Sequence, residues 1–157
     1  MIILVAIVML IVGVCLGGML GLKLAIMIAK NKKLNEKKFL KYYKFTIELF
    51  RRKNQGIDVF KVIRDKGFSS VSIYGAAEMG VLVKQMMEKD GLDVKYFIDK
   101  RQAGKEIEGI KVYSTDKIID DVDCVLITPY IYANEIINDL KIDDNSSIVL
   151  LDDLIKK

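Results

Sequence analysis

Gly75, Ala77, Gly80 and Asp99 are the residues whose types and spacing suit chemistry, and that chemistry is recognition of an anion and a hydroxyl. They stand in the stretch Val71-Ser-Ile-Tyr-Gly75-Ala-Ala77-Glu-Met-Gly80 and, nineteen residues later, at the end of Val94-Lys-Tyr-Phe-Ile98-Asp99. A β-branched run entering a glycine turn, then a helical pattern, then a second apolar run ending on a carboxylate is the order of a dinucleotide-binding unit. Gly75 permits the tight turn, small Ala77 lets backbone N–H groups approach a phosphate, and Gly80 lets the helix sit close to the sheet. Ala77 replaces the middle glycine of the usual G-x-G-x-x-G. Ala76, Glu78 and Met79 complete the turn, whose helix start offers N–H donors and a positive dipole end. Asp99 would accept from a ribose hydroxyl. A strand–glycine–helix turn that binds nothing remains the alternative.

The elements that must hold these residues are legible as alternation. Short β-branched runs predict strands near 70–75, 94–98, 123–128 and 147–151, with a weaker one at 111–113. Helical patterns fall at 78–90, 115–120, 131–140 and 152–156, preceded by a shorter one at 57–67 that ends on Gly67. The expected fold is α/β: a small Rossmann-like parallel sheet of four or five strands with helices on both faces, over residues 68–157.

Ahead of it stand two other segments, 1–29 and 30–67. No charged residue occurs before Lys23, and the apolar character runs on to Ala29. That is long enough for a single transmembrane helix, and no basic n-region or small-x-small cleavage site marks a signal peptide. Gly13, Gly17 and Gly21 fall four apart, a stripe that would admit a second helix and self-association. Residues 30–53 hold ten Lys or Arg against two Glu, whereas 54–157 hold fourteen basic and nineteen acidic residues. The basic balance is therefore a collar beside the span. By the positive-inside rule it puts the amino terminus outside, and the domain in the cytoplasm at the plasma membrane. From about 35 to 54 the pattern is amphipathic, with Phe39, Tyr42, Tyr43, Thr46, Leu49 and Phe50 at helical intervals. It reads as a helix on anionic lipid or one packing on the domain. Nucleic acid is not an expected partner, because the domain's own charge is negative.

Catalytic groups are sparse. Histidine is absent, which removes the common triads and zinc sites, and Cys15 and Cys124 lie in segments that cannot pair. Asp120, Asp121 and Asp123, Asp143 with Asp144, and Asp152 with Asp153 sit at turns and helix ends, where carboxylates serve as caps. No metal site and no catalytic residue is expected.

Four phrases together carry a family resemblance: Ile73-Tyr-Gly-Ala-Ala-Glu-Met-Gly80, Tyr96-Phe-Ile-Asp-Lys100, Gly104-Lys-Glu-Ile-Glu-Gly-Ile-Lys-Val112 and Asp123-Cys-Val-Leu-Ile-Thr-Pro129. Over roughly 40–157 the chain resembles the small nucleotide-binding Rossmann domains of bacterial polysaccharide and capsule biosynthesis, related to nucleoside-diphosphate-sugar epimerases and dehydratases. The resemblance implies a phosphate turn at Gly75, Ala77, Glu78, Met79 and Gly80. It places Asp99 and Lys100 at the ribose or base end, and Thr128, Pro129 and Tyr130 at a third wall of the crevice. The ligand it implies is NAD(P) or a nucleoside-diphosphate sugar, and the partner a polysaccharide-synthesis protein. Family enzymes carry a Tyr-x-x-x-Lys pair in a later catalytic half. Here the spacing occurs only at Tyr96…Lys100 and Tyr113…Lys117, upstream of where such a pair belongs, so independent catalysis is not expected. Two alternatives stay open: a cofactor-holding part of a nucleotide-sugar enzyme completed by a partner chain, and a nicotinamide-sensing regulator of a membrane transporter, like potassium-uptake control domains.

Overall fold

The β-branched runs become strands where alternation places them. The computed structural model describes residues 2–143 and 146–156, except the side chains of 2–12 and 14–16. In chain order the elements are α1 (Ile2–Asn54), α2 (Lys61–Arg64), β1 (Ser70–Tyr74), α3 (Glu78–Lys89), β2 (Asp93–Ile98) and β3 (Glu106–Ile107). Then follow β4 (Ile110–Tyr113), β5 (Ile118–Ile119), β6 (Cys124–Ile127), α4 (Ala133–Asp139), β7 (Lys141–Ile142) and β8 (Ser147–Leu150). Short 3-10 turns occupy Tyr130–Tyr132 and Leu151–Ile155. Two compact units result, Met1–Lys44 and Phe45–Lys157.

In the second unit a six-stranded sheet runs β3-β4-β2-β1-β6-β8. Five strands are parallel, and the chain leaves central β1 toward β2 on one side and β6 on the other. This is a Rossmann-like α/β fold. The sheet is nevertheless mixed, because β3 pairs antiparallel with β4. A separate two-stranded parallel ladder joins β5 to β7.

Both faces of the central strands are covered, so they read as near-continuous apolar runs. On one face Tyr74, Tyr96, Ile98, Val125 and Ile127 cluster with Ile119, Val122 and Ile136. The alternate residues Val71, Ile73, Phe97 and Leu126 are buried on the other, and α3 lies against β1 and β2. Phe45, Leu49, Val59, Phe60 and Ile63 are also buried, so the end of α1 and the segment after it belong to the core.

The helix expected over 115–120 is a turn followed by β5. The Ser114 hydroxyl accepts the Asp116 N–H, and the β-branched pair Ile118-Ile119 finds a ladder partner. The helix expected over 57–67 shrinks to Lys61–Arg64, because Asp58 accepts the Phe60 N–H in a local turn. At 152–156 the helix is a 3-10 turn. The amphipathic segment is the end of α1, and its stripe divides: Leu49 is buried, whereas Phe39, Tyr43 and Phe50 are exposed. Among the described residues no helix is long and apolar enough to cross a membrane. The expected span falls mainly on residues whose side chains lie outside that description. Among the described residues, and apart from the helix's own adjoining backbone, no atom stands within 4 Å of where a Cβ would be at Gly13, Gly17 or Gly21.

Asp123 staples the entry of β6 to that of β1. Its Oδ2 accepts the N–H groups of Ser69 and Ser70, each at 2.8 Å, and the Ser69 hydroxyl at 3.2 Å. Donation from the Ser70 backbone foremost holds the carboxyl down at about 2, against an ordinary 3.8. The folded value is depressed, so the stabilisation is complete above the unfolded value and is lost as pH falls from 3.8 through about 2. Asp123→Asn is therefore expected to melt below the parent at neutral pH, with the gap closing across that acid window in thermal melts. A gap independent of pH down to the lower bound would contradict this account.

Candidate functional site

In parallel sheets of this order ligands bind beyond the carboxyl ends of the strands, near the reversal of order at β1. Gly75 makes the turn out of β1 at φ +102°. A Cβ there would stand 2.4 Å from Thr128 Oγ1 and 3.2 Å from Pro129 Cδ. A Cβ on Gly80 would stand 1.9 Å from the Gly75 carbonyl oxygen and 3.5 Å from the Phe97 ring. Both glycines are thus required by close approach of the turn, the first turn of α3 and the β6 exit.

The N-cap of α3 is Ala77, whose side chain makes no cap, and Val81 donates the first helical hydrogen bond back to its carbonyl at 3.0 Å. The N–H groups of Glu78, Met79 and Gly80 lie ahead of that bond and have no acceptor within the helix. Beside them opens a cleft of about 430 Å³, lined by Ala76, Ala77, Glu78, Val81, Leu82, Gln85 and Gln102.

Asp99 connects the two halves of the site. Its Oδ2 accepts the Ala76 N–H at 3.0 Å, and its Oδ1 accepts those of Arg101 at 2.7 Å and Gln102 at 3.1 Å. One carboxylate thereby pins the glycine turn to the loop after β2. One carboxylate lines the cleft, that of exposed Glu78 in the first turn of α3, while Asp99 lies behind the turn that it pins.

The remaining predicted positions are more structural. The buried Thr128 hydroxyl donates to the Tyr74 carbonyl at 2.9 Å, tying the β6 exit to β1. Half-buried Tyr130 sets its ring 6.2 Å from that of Phe45, and burial raises its phenol above the usual range. Lys100 pairs with Asp139 on α4 at 2.6 Å, on exposed side chains. So Gly75, Ala76, Ala77, Glu78, Gly80 and Asp99 come together. Thr128 and Pro129 buttress the turn, and Lys100 and Tyr130 are engaged elsewhere. Sequence reasoning missed Val81, Leu82, Gln85 and Gln102. The first three share one helix face with Glu78, a spacing that was available to find them.

The two Tyr…Lys spacings resolve into a different cluster. Tyr96 is buried and its phenol donates to Asp121 Oδ1 at 2.6 Å. Lys117 holds its ammonium 4.6 Å from the Tyr96 ring centre and 5.1 Å from that of Tyr113. Burial first, then the acceptor carboxylate, pushes the Tyr96 phenol well above its ordinary range. General acid–base work needs a pKa nearer the operating pH. This phenol is shifted the wrong way. Of the acidic clusters, Asp121 holds Tyr96 and Lys117, Asp123 staples β1 to β6, and Asp153 caps the Leu150 N–H and pairs with Lys156, while Asp144 lies outside the described residues. Among the described residues no group of three or more possible ligands is placed to hold a metal ion.

Residues 68–148 match the family described as C2185-like, N-terminal. No curated protein matches the chain. Among solved structures, UDP-D-quinovosamine 4-dehydrogenase from Vibrio fischeri is similar at 19% identity and TM-score 0.36, over 55% of this chain and 83% of that one. RSP, a Rex-family repressor, is similar at 16% identity and TM-score 0.39, over 58% of this chain and 56% of that one. RSP in complex with β-NADH gives 18% and 0.38, over 59% and 60%. This chain thus spans under two thirds of the repressor's length. Likenesses of this size say nothing about ligand or activity.

Proposed function

The chain belongs to the C2185-like, N-terminal family, and on that premise we propose a nucleotide-binding module without catalysis of its own, tethered to the cytoplasmic face of a membrane. One observation carries the reading: the uncapped start of α3 opens onto a cleft at the carboxyl end of β1, bounded by α3 and the loop after β2. The N–H groups of Glu78, Met79 and Gly80, with the dipole of a twelve-residue helix, suit a phosphate. Asp99 suits the ribose, since its Oδ2 accepts a single backbone N–H and keeps acceptor capacity for a hydroxyl. The ligand class is NAD(P) or a nucleoside-diphosphate sugar. An accessory or regulatory part in surface-polysaccharide synthesis rests on the sequence resemblance, and the tether on the uncharged amino-terminal segment.

Titration calorimetry on the full chain in mild detergent, with NADH, UDP and UDP-sugars, tests this. Binding of at least one ligand is expected, weakened about tenfold or more by Asp99→Ala, because hydrogen bonds to a charged group are worth roughly 1.5–3 kcal/mol. No heat from any of these ligands would remove nucleotide binding. Equal affinity for the variant would move the ribose contact elsewhere.

A further inference from the structure

The loop after β2 ends in a turn that holds one side chain of the cleft in a single orientation. Gln102-Ala-Gly-Lys105 closes through the Lys105 N–H, which donates to the Gln102 carbonyl at 3.2 Å. Gly104, in the third position, takes φ +83°, a conformation glycine permits. Both ends of the turn are fixed. Asp99 Oδ1 accepts the Gln102 N–H at 3.1 Å, while Gly104 donates to the Val112 carbonyl and Val112 to that of Lys105, each at 2.9 Å. The turn brings the Lys105 ammonium 2.6 Å from the Gln102 side-chain oxygen. A lysine ammonium only donates, so the amide atom that meets it has to be the oxygen and not the nitrogen. Gln102 lines the cleft, whereas Lys105 stands outside that lining. The amide therefore keeps its NH2 group for an occupant of the cleft. Gln102 is set as a donor.

The flank of α3 supplies the opposite wall. Glu78, Val81, Leu82 and Gln85 recur at the spacing of one helix face, and half-buried Val81 and Leu82 make its middle apolar. From Glu78 to Gln85 the helix rises about 10 Å, the reach of a ribose and base from a phosphate at the helix start. We infer that Gln102 reads the base of a nucleotide whose phosphates sit at the start of α3, with the ring on Val81 and Leu82 and its edge on the Gln102 NH2. Uracil differs from cytosine, and guanine from adenine, by a carbonyl in place of an exocyclic amino group. A fixed donor pairs with that carbonyl and leaves the amino group unmatched. The cleft therefore takes uracil or guanine ahead of cytosine or adenine. This rests on the nucleotide reading above and narrows it, counting against the adenine of NAD(P).

The test is titration calorimetry on the full chain in mild detergent with UDP, CDP, GDP, ADP and NADH. The parent should bind UDP about three- to tenfold more tightly than CDP, and GDP more tightly than ADP by a similar factor, the worth of one neutral hydrogen bond. Gln102→Glu should reverse both preferences, because an acceptor then faces the cleft while Lys105 still neutralises the carboxylate. Gln102→Leu should abolish them at the parent's Tm, since the side chain is outside the core. Equal affinities within each pair, or preferences that survive both substitutions, would overturn the inference and leave nucleotide binding standing. Binding of NADH alone would do the same. No heat from any of the five ligands would remove the nucleotide reading itself, and this inference with it.

Discussion

Gly80→Ala is expected to cost about 3 kcal/mol or more and to lower Tm by roughly 10 °C, because overpacking costs 1–3 kcal/mol even where flexible side chains can give way. Here nothing flexible is available. The new methyl group would stand 1.9 Å from a backbone carbonyl oxygen, that of Gly75. Relief requires α3 to lift from the turn or the turn to lift from Thr128, and either motion spoils the helix start as a donor cluster. Nucleotide binding should disappear with the stability. Denaturant unfolding beside calorimetry checks both, and a variant as stable as the parent would show that the turn tolerates a second methyl-bearing residue near Ala77.

Phe60→Ala should cost about 3–5 kcal/mol, the usual range for emptying a buried aromatic site. Phe60 is fully buried, with the Lys53 ammonium 5.6 Å from its ring centre. It precedes the family match, which starts at residue 68. A loss of that size in urea unfolding would show that the folding unit starts well before the homologous segment. A loss below about 1 kcal/mol would assign the lead-in segment to packaging around an independent sheet.

The fold was readable where periodicity and length agreed. Ser70–Tyr74, Asp93–Ile98, Cys124–Ile127 and Ser147–Leu150 are β-branched or aromatic runs long enough to announce themselves. Two-residue strands such as Glu106–Ile107 and Lys141–Ile142 carry no period at all, so only their ladder partners reveal them. At the site, Gly75 and Gly80 were legible because steric need writes itself as glycine. The reach of Asp99 back to the Ala76 amide was not, since it depends on how two loops meet in space. Likewise the collar's apolar residues could be placed on a helix from spacing, but which arc the domain would cover depended on tertiary contacts.

The antiparallel strand β3 carries a last consequence. Without it β4 would end the sheet with a row of unpaired donors and acceptors, an invitation to edge-to-edge stacking between molecules. The hairpin turns at Glu108, φ +51°, and Gly109, φ +77°, and sets Glu106 opposite Lys111, so the outermost strand is two residues long and charged. Were the chain tethered to a bilayer as proposed, such domains would meet at high local density in two dimensions. A blunted margin of this kind disfavours backbone pairing between neighbours on the β3 side of the sheet, whose other edge is β8.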